Sequence, residues 1–473
     1  MRIKFKDREL KELKKENAAL KAEIKELKKL VQKQFEVIER QNKIIEEQNE
    51  RIKELEAKLN LPQKDSSNSS LPPSSDKKSK RNYPSRERSG KKPGGQKGHP
   101  GHYLELSETP DEIVSKKPES CPFCGAKELT ETGEIERRQE IGIEVKTVTT
   151  EHQRPQCICA GCKQKSKAAF PENLTAPVVY SHDITAFIGY LRTKCNLSVE
   201  KTEHLFRDIL GLSISKGTIE NKTMELAEKA IPLYQKILEL LKKSNYIGCD
   251  ETFMKISGIR AFEWVFQNKK LCYYVASFSR GFNVIQETIG DFFDGIWGCD
   301  RYTAQLAIRA LHQYCLAHIT RECRFLEQSH DCRWATSFKQ LLKDASELHK
   351  NPCFNPKHPY FVQEIKILKQ RLLMILAHPP PKNKMGKLKT ISDKEKEILR
   401  FLNYCDIPPD NNGSERALRP VAIKRKTGGF RTFDGAQRYS IILSVIETCK
   451  KQGKHILLTL SRILDNNEIL LQS

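Results

Sequence analysis

Tyr246-Ile247-Gly248-Cys249-Asp250-Glu251-Thr252-Phe253 is a short apolar run that ends in two carboxylates and a hydroxyl. A buried strand rarely carries adjacent acids unless charge is wanted there, because an unpaired buried charge is costly. A second run, Ile296-Trp297-Gly298-Cys299-Asp300, ends the same way. Asn411-Asn412-Gly413-Ser414-Glu415-Arg416 then opens a helix-like segment carrying a third acid. Asp250, Asp300 and Glu415 are therefore expected to converge on metal ions. Glu251, adjacent on the strand, is expected to point to the opposite face and ranks second as a ligand.

The surrounding pattern supports that convergence. After the first strand, residues 246–249, two more strands are expected at 261–266 and 271–276. A helix over 283–293 leads to the strand ending at Asp300. A helix over 304–311, a strand over 312–316 and a helix from Ala317 follow. A three-strand meander followed by helix, strand, helix, strand is the order of a ribonuclease H-like α/β core, a mixed sheet flanked by helices. In that order the first and fourth strands are neighbours, so Asp250 and Asp300 meet across a gap of 300 − 250 = 50 residues. The segment 332–406 exceeds what the fold requires and reads as a helical insertion. Two Mg²⁺ or Mn²⁺ ions about 4 Å apart suit three carboxylates, since phosphoryl transfer needs the attacking oxygen deprotonated and the leaving oxygen neutralised. Without cations, three clustered acids repel one another and their pKa values rise.

The 473 residues suggest about three domains. A formal net charge of +22 points to a polyanionic partner, most simply nucleic acid; the partner expected from the motifs below is double-stranded DNA. The N-terminus is charged and helical, not an apolar signal segment. No stretch approaches the roughly 18 apolar residues of a membrane span. The expected setting is cytoplasmic, without a membrane partner, and the 15 cysteines are expected to be reduced or metal-bound.

Working outward to the N-terminus, residues 1–60 keep an unbroken heptad. Leu10, Asn17, Ile24, Val31, Ile38, Ile45, Ile52 and Leu59 occupy position a. Leu13, Leu20, Leu27, Gln34, Gln41, Gln48 and Leu55 occupy d. This predicts a parallel coiled-coil homodimer, with Asn17 helping to set register. Residues 61–105 are expected to form a disordered basic linker in which Lys91, Lys92 and Lys97 contact DNA phosphates. Residues 106–172 hold Cys121-Pro122-Phe123-Cys124 and Cys159-Ala160-Gly161-Cys162, with an alternating, hairpin-like stretch from Ile135 to Thr150 between them. This predicts a zinc ribbon with a structural Zn²⁺ on Cys121, Cys124, Cys159 and Cys162, Cys157 being a spare that could replace Cys159. Residues 173–244 read as a helical DNA-binding unit, in which Gly211 to Ile219 resembles the turn of a helix-turn-helix. The core is expected over 245–440, with supporting helices over 441–473. Beyond Glu415, the cations Arg416, Arg419, Lys424, Arg425 and Lys426 are expected at phosphates beside the cut.

These motifs together resemble the insertion sequence 66 family of bacterial DDE transposases, nearly end to end. The matching pieces are the coiled coil, Asn68-Ser69-Ser70, Pro72-Pro73-Ser74, Gly94-Gly95-Gln96-Lys97-Gly98-His99, the paired cysteines and Asp250-Glu251-Thr252. Cys315-Leu316-Ala317-His318 and Asn411 through Pro420, with Ile423-Lys424-Arg425-Lys426, also match. The resemblance implies a nucleoid-associated transposase with Asp250, Asp300 and Glu415 as catalytic acids, strand cleavage and strand transfer of element DNA, and accessory element-encoded proteins. The family usually has Asp-Gly-Tyr where this chain has Asp300-Arg301-Tyr302, and Cys-Trp-Ala-His where it has Cys315-Leu316-Ala317-His318. The fold class expected is multidomain α+β: coiled coil, zinc ribbon, helix-turn-helix-like unit and ribonuclease H-like core. Two alternatives are a catalytically inactive DNA-binding regulator and a nuclease of the same fold.

Overall fold

Apolar runs rich in β-branched and aromatic residues between 246 and 314 form strands because such side chains pack well on a pleated, two-sided surface. The structure, a computed structural model, describes residues 2–58, 98, 103–330, 332–380, 386–391 and 393–472. A long helix, α1 (Arg2–Lys58), is followed by two short strands, β1 (Cys157–Ile158) and β2 (Lys165–Ser166). Three helices come next: α2 (His182–Thr193), α3 (Val199–Leu210) and α4 (Lys216–Lys242). The sheet region contains β3 (Tyr246–Ile256), β4 (Ile259–Gln267), β5 (Cys272–Ser277), α5 (Phe282–Thr288), β6 (Phe292–Cys299), α6 (Thr303–Leu306) and β7 (Arg309–Tyr314). Helices α7 (Leu316–His330), α8 (Arg333–His349), α9 (Pro359–Ala377) and α10 (Glu395–Leu399) follow. The chain closes with α11 (Asn412–Ala417), α12 (Arg419–Lys426), α13 (Phe433–Lys451) and α14 (Ile456–Leu464).

The chain divides into two compact units. One holds α1, α8 and most of α7 and α9; the other holds the strands, α2–α6 and α11–α14. In the first, α8 and α9 bury Phe338, Leu341, Leu342, Leu368 and Leu372, and Arg371 pairs with Asp344 at 2.9 Å. These are helices within the segment read as an insertion.

In the second unit a five-stranded mixed sheet runs in the order β5-β4-β3-β6-β7. Strands β3, β4 and β5 are antiparallel neighbours, while β3, β6 and β7 run parallel. The neighbour relation of β3 and β6 is the one the sequence order predicts. Helix α13 packs on the β5 side of the sheet. Its Tyr439 and Leu443 join Val265, Tyr274, Ala417, Leu418 and Val421 in one apolar cluster. It also closes the sheet edge: the N–H groups of Cys272 and Tyr274 on β5 donate to Thr448 Oγ1 (3.1 Å) and Ser444 Oγ (2.9 Å). Hydroxyls that satisfy an edge strand leave no open ladder for another chain to extend.

Several sequence expectations are corrected here. Strand β3 does not stop at Cys249 but continues to Ile256, because β4 pairs with it from Gly248 to Ile256. Asp250 and Glu251 therefore lie inside a long hairpin. Its two-residue turn, Ser257-Gly258, has both φ values positive (50° and 79°), the geometry that matches strand twist. Helix α5 ends at Thr288, with Gly290 (φ 121°) beyond it, and residues 292–293 belong to β6. The helix expected over 304–311 is a single turn, since β6 claims Arg309–Tyr314 as a parallel partner. Residues 135–150 form no hairpin; their apolar side chains Ile135, Ile141, Ile143 and Val148 are exposed, and a two-stranded ribbon with no core to cover is not stable alone. The boundary drawn at 440 falls within α13, which is part of the same packed unit as the sheet.

Candidate functional site

The parallel ladder between β3 and β6 ends at the pair Gly248–Gly298. Asp250 stands 250 − 248 = 2 residues beyond it, and Asp300 stands 300 − 298 = 2 residues beyond it. The two acids thus stand at equivalent positions just past the carboxyl end of the parallel β3–β6 ladder, the end of a parallel pair at which open α/β sheets place their ligands.

Glu415 reaches the same edge through a docking built from Asn411 and Ser414. Asn411 Nδ2 donates to Cys249 O (2.7 Å), its N–H donates to Cys315 Sγ (3.1 Å), and its Oδ1 accepts from Ser414 Oγ (2.7 Å). Gln267 Nε2 completes the cluster by donating to Ser414 Oγ at 3.2 Å. Gly248 is required beneath it: a Cβ there would lie 2.8–2.9 Å from Asn411 Oδ1, Gln267 Nε2 and Ser414 Oγ. Buried Asn411 and Ser414 therefore form a plug that seats α11 on β3. The roles of Asn411, Ser414 and Gln267 have no signature in the sequence, because they depend on what stands across the sheet.

The two faces of β3 separate the adjacent acids. Residues directly opposite in a ladder share a face. Asp250 is opposite Val265, which packs with α11 and α12. Glu251 is opposite Trp264, whose Nε1 donates to Ser279 O on the other side. Burial first, then repulsion by Asp300, Glu251 and Glu415, pushes Asp250 well above the ordinary carboxylate range; the Glu251 N–H at 2.8 Å opposes it. Glu251 is also raised, by burial and by Asp300, against the pull of Arg280 and Gln305. It is not a solvated strand residue, as its side chain is only 2% exposed.

Among the described residues, no three His, Cys, Asp or Glu side chains form a ready-made metal cage. The donor chemistry at the sheet edge nevertheless fits a hard divalent cation. Asp250, Asp300 and Glu415 offer carboxylate oxygens, and a bound positive charge would relieve the repulsion that raises Asp250.

One further buried acid escaped sequence reasoning. Glu263 on β4, opposite Thr252, accepts from Ser440 Oγ (2.6 Å), while its other carboxyl oxygen has no partner. Burial pushes it up to about 8 despite that hydroxyl.

Each cysteine pair forms the same local turn. Gly125 N–H donates to Cys121 O (2.8 Å) and Lys163 N–H to Cys159 O (2.9 Å), and both Gly125 (φ 79°) and Lys163 (φ 58°) are left-handed. Backbone N–H groups of Phe123 and Cys124 face the Cys121 sulfur, and those of Gly161 and Cys162 face Cys159, which lowers both thiols. These are the features of a thiolate knuckle, and the soft donor set fits Zn²⁺. The two knuckles do not form a four-sulfur group, and Cys157 lies on β1 beside the second.

The basic residues divide. Lys91, Lys92 and Lys97 lie outside the described residues. Arg416, Arg419 and Lys426 are exposed. Lys424 and Arg425 turn inward: Lys424 Nζ sits 5.4 Å from the Phe430 ring centroid, and Arg425 lies 4.5 Å from that of Phe253 and donates to Phe253 O (3.2 Å). Burial and the neighbouring Arg192 bring Lys424 down to about 8. The Gly428-Gly429 turn is likewise tied to the hairpin, Phe430 N–H donating to Lys255 O (3.0 Å) and Ser257 N–H to Phe430 O (2.9 Å).

In the turn between α3 and α4, Gly211 is left-handed (φ 64°) and Ser215 caps α4 through Thr218 N–H. Charges near the start of α4 are paired within the unit: Glu220 with Arg192 (2.7 Å), Lys222 with Glu225 (2.8 Å) and Lys216 with Glu203 (3.7 Å). Helix α2 is bound to the C-terminal helices, Ser461 Oγ donating to Asp183 at 2.8 Å.

Residues 177–438 match the family described as Transposase IS66 family, a span that contains Asp250, Asp300 and Glu415. Residues 6–105 match a family of unknown function, DUF6444. Two proteins of Sinorhizobium fredii are similar, both described as uncharacterized. Protein y4jO is 39% identical over 67 residues, 14% of this chain and 21% of its own length. Protein y4hP is 21% identical over 397 residues, 72% of this chain and 69% of its own length. The chain thus spans about a fifth of the first relative and just over two thirds of the second.

Proposed function

The chain belongs to the Transposase IS66 family, and from that premise we propose that it cleaves DNA strands at the ends of an insertion sequence and joins them to target DNA. The observation that carries this reading is the matched placement of Asp250 and Asp300 just past the end of the parallel β3–β6 ladder, with Glu415 near enough to act on the charge of Asp250. The strand order β5-β4-β3-β6-β7 supports reading the sheet as a ribonuclease H-like core.

Asp250, Asp300 and Glu415 are the proposed ligands of Mg²⁺ or Mn²⁺. When bound, such ions lower the pKa of the attacking hydroxyl and neutralise the leaving oxygen. The chain's own residues do the rest. The Asn411 plug holds α11 so that Glu415 approaches from the face Asp250 uses. Arg416, Arg419 and Lys426, exposed just beyond, meet phosphates, whereas Lys424 and Arg425 brace the helix against Phe430 and Phe253.

The remaining segments bring DNA and a second copy. The described a and d side chains of α1 (Leu20, Ile24, Leu27, Val31, Ile38, Ile45 and Ile52) are about half exposed, which suits a coiled-coil homodimer. The two cysteine knuckles close a structural zinc ribbon, the basic linker follows the backbone of DNA, and α2–α4 form a helical DNA-binding surface. Among the described residues no helix is long and apolar enough to cross a membrane.

Cleavage and joining of DNA carrying the cognate ends, with Mg²⁺ or Mn²⁺, tests the reading. Wild type is expected to be active and Asp250→Ala inactive. Full activity in Glu415→Ala would sink it.

A further inference from the structure

Glu251 stands beside Asp250, yet both of its oxygens are engaged by protein donors. Oε1 accepts from Arg280 Nε at 2.8 Å and from Nη2 at 2.7 Å. Oε2 accepts from Gln305 Nε2 at 2.7 Å. Gln305 is fully buried, and its amide oxygen faces the Asp300 N–H at 3.4 Å. Asp300 Oδ1 accepts from the Tyr302 N–H at 3.0 Å, and the Tyr302 hydroxyl donates to Arg280 O at 3.3 Å. The Arg280 guanidinium lies 4.2 Å from the centre of the Tyr302 ring. These contacts close a ring: Glu251, Gln305, Asp300, Tyr302, Arg280 and back to Glu251. Inside it Arg301 is held at φ 70°, a left-handed conformation that bulky L-residues avoid unless their surroundings impose it.

We infer that Glu251 is a positioning residue for Asp300, acting through Gln305 and Arg280, and is not itself a metal ligand. The inference rests on the reading of Asp250, Asp300 and Glu415 as the metal-holding acids, and it assigns the second acid of Asp250-Glu251 a different task. A carboxylate whose two oxygens already accept three charge-assisted or amide hydrogen bonds, with 2% of its surface exposed, has little left to offer a cation. What it does offer is an acceptor that fixes the Gln305 amide. With its NH₂ directed at Glu251, Gln305 must present its oxygen to the Asp300 N–H.

That polarity makes Glu251→Gln a disruptive change. With its oxygen kept on Arg280, its NH₂ would face the NH₂ of Gln305, and flipping Gln305 would set that NH₂ against the Asp300 N–H; with its oxygen turned to Gln305, its NH₂ would face the Arg280 guanidinium. Either way the segment carrying Asp300 loses a tether. Exchanging the two residues, Glu251→Gln with Gln305→Glu, restores a donor facing an acceptor at both joints while leaving no carboxylate at 251.

The test titrates full-length protein with Mn²⁺ alone, follows affinity and stoichiometry by calorimetry or electron paramagnetic resonance, and measures cleavage and melting in parallel. Glu251→Gln is expected to weaken Mn²⁺ binding about 10- to 100-fold without changing the number of ions bound at saturation. The exchange variant is expected to recover most of that affinity. If Glu251→Gln melts below the assay temperature, Gln305→Ala, which keeps the Glu251–Arg280 pair, carries the same expectation. A lost ion in Glu251→Gln that the exchange does not restore would make Glu251 a ligand. Unchanged affinity in both single variants would remove any positioning role. Asp250→Ala and Asp300→Ala separate this from failure of the parent reading: if both keep wild-type Mn²⁺ stoichiometry and cleavage, the site itself is misassigned.

Discussion

The acids at the sheet edge and the cysteines around residues 121 and 159 pose the same problem, that of bringing side chains distant in sequence to one point. The chain meets it in opposite ways. Asp250 and Asp300 stand at equivalent positions because two strands with buried neighbours share a fixed register, and Glu415 joins them because Asn411 and Ser414 plug α11 against Gly248. Cys121 and Cys124, and separately Cys159 and Cys162, meet through five-residue turns closed by their own backbone hydrogen bonds. Between the pairs, residues 135–150 form no ladder and bury no core. A packed scaffold can hold like charges together against their repulsion, whereas local turns can prepare half-sites but have no framework of their own to join them. On the reading proposed above, an ion would draw the acid side chains together on backbone positions that the sheet has already set, whereas it would have to join the two cysteine turns to each other.

The sharpest way to break the comparison is at Asp250. Asp250→Asn should lower metal-dependent cleavage by about 10²-fold or more, beyond what loss of a supporting partner costs. It should not lower the melting temperature, since it removes a buried carboxyl that Asp300, Glu251 and Glu415 repel. A large drop in melting temperature would mean that the acid is part of the packing.

At the other region, Cys159→Ser should release one zinc per chain, read by metal analysis. A chelator should make residues 103–172 protease-sensitive while the sheet keeps its melting transition, because metal binding and folding are coupled in small thiolate sites. Loss of the sheet transition on chelation would show that the two regions are not built independently.

Glu263 measures what the scaffold itself spends on charge. Its ordinary value is 4.5 and its folded value about 8, so the folded chain keeps a proton that the unfolded chain releases within that window. Stability should therefore fall as pH rises from about 4.5 to about 8. Glu263→Gln keeps the Ser440 contact and should flatten that slope, with a gain at the alkaline end of at most on the order of 5 kcal/mol. Denaturant melts across pH check it.

The smallest effect is expected among the cations beyond Glu415. Arg416→Ala or Arg419→Ala should reduce the salt dependence of DNA binding by a slope of about 1 each. Lys424→Ala should change that slope less and stability more, since its stem packs over Phe430 and Tyr439. Binding titrations over a range of salt distinguish the two groups.

Much of the core was legible because its signals are periodic or abrupt. Apolar runs broken by Asp250 and Asp300 marked β3 and β6, and their spacing implied a crossover and hence adjacency. The limits of the elements were less legible. Nothing within Phe253 to Ile256 says that β4 will extend the strand past its acids; the Ser257-Gly258 turn and a full-length partner decide that. Helix-like patterns at 283–293 and 304–311 gave way to β6 and β7, since ladder hydrogen bonds outweigh weak helical preference in short segments. The alternation at 135–150 promised a hairpin but found no surface to cover. The division of the cations into outward Arg416 and Arg419 and inward Lys424 and Arg425 was invisible, because five basic residues in a row of motifs carry no label for which aromatic ring stands nearby.

By itself the sequence determined the elements of chemistry: which acids, which thiols, a seven-residue repeat at the N-terminus and an order of strands that makes β3 and β6 neighbours. Residue type and period carry such information because they act locally. Only the tertiary structure decided what those residues meet. It gave Glu251 to Arg280 and Gln305, and it seated Glu415 through a plug of neutral side chains. Burial and register across the sheet are the physical cause, and both are properties of elements packed together that no single stretch of chain encodes.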